Sequence, residues 1–196
     1  MRLFNLSLVL VVGVAAWSGC SKGASEPDPG ASQGNEAPPV PATGTTPMTK
    51  LSDGQIAEIL MTVDSGEIEQ AQLALKRATD PEVRAFATHM IQQHTDAKQA
   101  GSQLATQAPL RPTESPKSLE LQQSSAKMLS ALNAADEHSS ESTYIDGQIQ
   151  QHEEALRLIK DQLLPAVIDP ALRNHLTTAR GMVEQHPIKA REINKK

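Results

Sequence analysis

Apolar residues recur at spacings of three and four along four segments of the chain, the period of a helix with one buried face. The first seam is Ile56, Leu60, Val63, Ala71 and Ala74, and the second is Val83, Ala87, Met90, Ala97, Gly101 and Leu104. The third is Ile145, Ile149, Leu156, Ile159 and Leu163; the fourth is Leu172, Leu176, Ala179 and Val183. No segment shows the strict alternation of a half-buried strand. Start signals bracket the seams. Ser52 with Gln55 resembles a capping box, and Asp80-Pro81, Ser115-Pro116 and Asp169-Pro170 each pair an N-cap with a first-turn proline. These signals predict helices from Ser52 to about Thr79, Pro81 to about Gln107, Glu141 to Leu164 and Pro170 to about His186, with a shorter helix over Pro116–Ala134. Pro165 and Pro187 read as points where helices end or kink. The expected fold is all-α: an antiparallel four-helix bundle over residues 51–188, with the extra short helix in its long connection and a basic tail at 189–196.

Each seam carries one polar exception: Glu67, His94, His152 and His186. Their heights can be counted from the turns. Glu67 lies 13 residues before Asp80 and His94 lies 14 after it, while His152 and His186 lie 17 before and 17 after Asp169. At about 1.5 Å per residue, each antiparallel pair sits at nearly one level, and all four residues can converge. Burying such groups unpaired costs roughly 1–3 kcal/mol each, so they must pair, bind water or bind a ligand. A hydrogen-bonded layer fixing helix register answers that need, as does a metal site of one carboxylate and up to three imidazoles for Zn, Cu or Fe. An organic ligand is a third answer. A di-iron oxidase requires a Glu three residues before a His on two helices. Here Ile91, Ile149 and Val183 stand at those places.

His89, His138 and His175 lie off the seams and read as surface or boundary residues. Glu153-Glu154 with Arg157 reads as a solvated helix face. Met61, Met90, Met128 and Met182 read as core filling. Nothing in the chain prescribes catalysis: there is no phosphate loop, nucleophile elbow or Cys-based metal motif.

The N-terminus changes the picture of where the domain sits. Arg2, an apolar run from Leu3 to Trp17, then Ser18-Gly19-Cys20 describe a secretory signal too short to span a bilayer. Trp17-Ser18-Gly19-Cys20 resembles the lipobox of bacterial lipoproteins, which implies a signal peptide over 1–19, lipidation of Cys20 and attachment to a membrane through it. Ser21 after the Cys implies the outer membrane, with the domain in the periplasm. Residues 21–50 hold six of the 13 Pro and four of the 11 Gly with no Leu, Ile or aromatic residue, so 20–50 is expected to be a disordered linker. Composition then excludes classes of partner. The aromatic residues are Phe4, Trp17, Phe86 and Tyr144 alone, too few to stack single-stranded nucleic acid, and a net charge of −5 opposes a phosphate backbone. A single Cys allows no internal disulfide.

Several short motifs occur in a fixed order: Gly66-Glu67-Ile68-Glu69, Phe86 to Thr95 around His94, Tyr144 to His152, Asp169-Pro170-Ala171-Leu172 and Glu184-Gln185-His186. Together they resemble a ferritin-like family of secreted bacterial proteins catalogued as domain of unknown function 4142. The resemblance implies a ferritin-like bundle over Leu51 to Pro187 and implicates Glu67, His94, His152 and His186. This chain departs from the family pattern at Gln93, where an Asp commonly precedes the His, at Glu141, which replaces an Asp near Tyr144, and at Gly181, which replaces a Pro. The function expected is a lipid-anchored envelope module for binding or structure, or alternatively a metal-binding or redox protein using the inward Glu/His cluster.

Overall fold

The computed structural model describes residues 50–108 and 110–195; the expected signal peptide, Cys20 and nearly all of the linker lie outside them. The described residues form helices α1 (Asp53–Arg77), α2 (Pro81–Gln107), α3 (Pro116–Ala134), α4 (Ser140–Leu158), a π-helical turn (Ile159–Leu163), a short α5 (Leu164–Ala166) and α6 (Pro170–Asn194). The caps are those the sequence prescribes. Ser52 and Gln55 form a capping box, and Asp80 and Asp169 accept from first-turn amides ahead of Pro81 and Pro170.

Two further carboxylates tie the helix pairs together. Asp53, at the start of α1, accepts from the amides of Ile168 and Asp169 at 2.8 Å each, in the turn before α6. Glu141, at the start of α4, accepts from Thr79 N at 2.5 Å and Asp80 N at 2.8 Å, in the turn between α1 and α2. The start of α1 therefore meets the turn between α5 and α6, and the start of α4 meets the end of α1. The four long helices pack as a ring in the order α1, α2, α6, α4, and every neighbouring pair is antiparallel.

This arrangement explains α3. The end of α2 and the start of α4 lie at opposite ends of the bundle, so the connection must run its length. Thr113 N donates to Gly54 O at 3.0 Å at one end, and Arg77 Nη1 donates to Leu132 O at 2.8 Å at the other. Between these points α3 lies along α1 and α4, with Ser118 and Leu132 buried. A Cβ on Gly66 would stand 2.5 Å from Ser125 Oγ, so the absence of a side chain there lets α3 seat.

Pro165 marks a helix end, as expected, whereas Pro187 does not. The amide of Leu164 bonds to Ile159 O, five residues back, so the chain widens into a π turn just before Pro165, which has no N–H to offer. Pro187 neither ends α6 nor begins a tail: the helix runs through it to Asn194, with Pro187 and Ala190 buried and Ile193 against the core. Residues 189–194 are structural because their apolar positions prolong the seam.

The core is in two parts. One contains Ile56, Ile59 and Leu60 of α1 with Leu158, Ile159, Leu163, Leu172, Leu176 and Val183. The other contains Ala71, Ala74, Ala78, Val83, Phe86, Ala87, Met90, Tyr144, Ile145 and Ala190. In each long helix the residues between the two are polar and buried: Asp64, Glu67 and Gln70; His94; Gln148 and His152; His186.

Candidate metal centre

Three of the four expected residues meet. His94, His152 and His186, from α2, α4 and α6, are each at most 2% exposed, and one ring nitrogen of each lies within 4.8 Å of the others. Glu67 of α1 is buried beside them but stands outside this group of three. The heights counted from the turns thus bring the imidazoles together as expected, while the carboxylate does not join their cluster.

The outer nitrogen of each ring is held by an oxygen. His94 Nδ1 donates to Asp64 Oδ1 at 2.8 Å, His152 Nδ1 to the carbonyl of Gln148 at 2.9 Å, and His186 Nε2 to Gln93 Oε1 at 2.6 Å. In the neutral tautomers these bonds select, His94 Nε2, His152 Nε2 and His186 Nδ1 all carry lone pairs and face inward. His152 Nε2 and His186 Nδ1 stand 2.9 Å apart. Two acceptors at that distance repel unless a proton or another cation lies between them. His94 Nε2 has no partner, and neither do the buried acceptors Glu67 Oε2 and Gln148 Oε1 nor the hydroxyl of Tyr144.

Burial opposes the proton. Desolvation lowers the pKa of His152, against the pull of Glu67, and it lowers that of His186 to about 2, helped by His152, His94, His89 and Lys189. Desolvation and the charge of Glu67 push the Tyr144 hydroxyl well above its ordinary pKa, keeping it protonated. The layer contains two carboxylates, Asp64 and Glu67, and no Lys or Arg is buried among the described residues. An uncompensated buried charge costs several kcal/mol, so a divalent cation would offset both.

The donor set suits such an ion. Three imidazoles with oxygen acceptors behind them match the way proteins orient histidine toward Zn, Cu or Fe. A tetrahedral centre with nitrogens at about 2.0–2.1 Å holds them ~3.3 Å apart. That lies between the 2.9 Å contact and the 4.8 Å limit found here.

Asp64, Gln93 and Gln148 escaped the seam count. Asp64 precedes Glu67 by three residues and so shares its face of α1, a spacing that could have revealed it. Gln93, a departure from the family pattern, holds His186, and Glu141, another, holds the α1–α2 turn. A Cβ at Gly181, the third, would meet nothing within 4 Å. Of the off-seam histidines, His89 stacks edge-on to His186 with centroids 6.0 Å apart, while His138 is exposed and His175 is half-buried. Glu153 pairs across to Arg191 of α6 on a solvated face, and Glu154 accepts from Gln150.

Residues 38–193 match the family model described as Domain of unknown function (DUF4142). The chain belongs to this family. The match takes in all the helices but the final residue of α6, so the polar layer lies within the family domain. No curated protein and no solved structure matches the chain.

Proposed function

We propose that this chain is an envelope lipoprotein whose ferritin-like bundle binds one transition-metal ion at His94, His152 and His186. The observation that carries the reading is the orientation of the rings: each outer N–H has an oxygen acceptor, and the inner nitrogens converge as bare lone pairs. A layer serving only to fix register would leave few buried acceptors unpaired, whereas here Glu67 Oε2, His94 Nε2 and Gln148 Oε1 all lack partners. Three neutral nitrogens favour Zn, Cu or Fe over Mg or Ca, which prefer oxygen. The lipobox-like Trp17 to Cys20 supports a tether to the outer membrane, with the bundle in the periplasm. Binding is the activity proposed; no catalytic step follows from these residues.

Metal analysis of protein purified without a His tag tests it. Wild type is expected to hold about one ion per chain, and the double variant His94→Ala, His152→Ala to hold none. Wild type that stays metal-free and gains no stability in excess Zn or Cu overturns the metal reading and leaves the layer as a register device.

A further inference from the structure

A cleft of about 430 Å3 opens between α1, α3 and α4, and Glu67 forms part of its wall. Glu67 is 5% exposed, and its Oε2 has no partner. It is thus a buried carboxylate in the wall of that cleft, on the same layer as the three histidines. Beyond it the cleft is lined by Glu120, Glu154 and Asp161 against Lys117 and Arg157. Lys117 is committed to Glu120 at 2.6 Å. Carboxylates therefore dominate this approach.

The opposite side of the cluster differs in charge where it matters. There His89 stands against His186, and Lys189 Nζ lies 3.4 Å from His89 Nε2. The Lys189 ammonium therefore sets up a positive field on that side. Any cation approaching along His89 meets that field before it meets a ligand. Glu82 and Glu192 line the hollow beside His89, but Lys189 is the group on the histidine.

We infer that the α1–α3–α4 cleft is a cation entry site: Glu154 and Asp161 collect a hydrated divalent ion, and Glu67 draws it inward to the histidines. This rests on the metal reading above and adds the path. The small α1–α3 spacing at Gly66 and Ser125 makes α3 one wall of that path, giving the long connection a role beyond spanning the bundle.

Stopped-flow loading with Co2+, followed by its absorption, tests the inference. Glu154 and Asp161 are exposed, so the double variant Glu154→Lys, Asp161→Lys is expected to fold. Its second-order loading rate should fall about tenfold at low salt and lose most of its dependence on ionic strength, with the final stoichiometry unchanged. Lys189→Glu on the other side should load at the wild-type rate. Wild-type loading in the double variant, or acceleration by Lys189→Glu, overturns the route while leaving the metal site standing. Failure of wild type to take up Co2+, Zn2+ or Cu2+ overturns both. Circular dichroism melts of each variant separate slow loading from a damaged fold.

Discussion

At the scale of single residues, the polar layer works through oxygens that hold the histidines rather than through the histidines alone. Asp64 fixes the tautomer of His94 by accepting from Nδ1 at 2.8 Å, and it shares the burial of that ring. Replacing Asp64 by Asn keeps the shape but removes the charge, and should weaken metal binding roughly 10–100-fold in a competition titration. The same rings set an acid limit on the metal-free protein. His186 is held neutral in the fold, with its pKa lowered to about 2, whereas the unfolded chain gains that proton near 6.5. The unfolded state binds more protons between those values, so stability is complete above pH 6.5 and declines as pH falls below it. Each such group contributes a slope of about 1.4 kcal/mol per pH unit. Urea melts of chelator-treated protein at several pH values should show this decline, and His186→Gln should flatten it. The identities of the histidines were legible from their seam positions. Asp64 was legible only through its three-residue spacing from Glu67, and its role was not, because its partner lies on another helix.

At the scale of elements, the stability of the ring of helices depends on two carboxylates that reach between pairs. Glu141 accepts from the amides of Asp80 and Thr79, and those bonds lower its pKa. Glu141→Gln should destabilise the protein by about 1 kcal/mol at neutral pH, and the difference should vanish in acid. The sign follows from the depressed value: the contribution is present above the unfolded carboxyl pKa near 4.5 and is lost as pH falls through the folded one. The caps at Ser52, Asp80, Ser115 and Asp169 could be read from the chain because capping is local. Glu141 and Asp53 could not, since each caps a turn distant in sequence. The run of α6 through Pro187 was hidden for a related reason. A proline in a helix removes one hydrogen bond, but the burial of Pro187, Ala190 and Ile193 across the next two turns offsets that loss. Ending the chain after Pro187 would strip Ala190 and Ile193 from the core and break the Asn194–Asp146 bond at 2.8 Å. A loss of roughly 2 kcal/mol is expected, measurable as a lower urea midpoint.

At the scale of the whole molecule, the polar layer divides the hydrophobic core in two, and all four long helices cross it. Without a cation, the layer is joined across helices by hydrogen bonds such as Asp64–His94 and Gln93–His186, but its inner ring nitrogens and the Glu67 oxygen stay uncompensated. An ion held by α2, α4 and α6 would join three of those four helices at mid-height. Its effect on stability would then be global, because opening either pair would break coordination. Mass action sets the size: at a free ion concentration 100 times the Kd, the folded state gains about 2.7 kcal/mol, or roughly 5–10 °C in Tm for a domain of this length. Thermal melts with and without chelator should show a single transition that shifts upward with Zn2+ or Cu2+. The shift should disappear in the His94→Ala, His152→Ala variant, whose own melting point should be insensitive to metal. If the ion instead only decorated the surface, wild type and double variant would shift equally. That outcome would refute a metal centre at the polar layer, however much metal the purified protein carried.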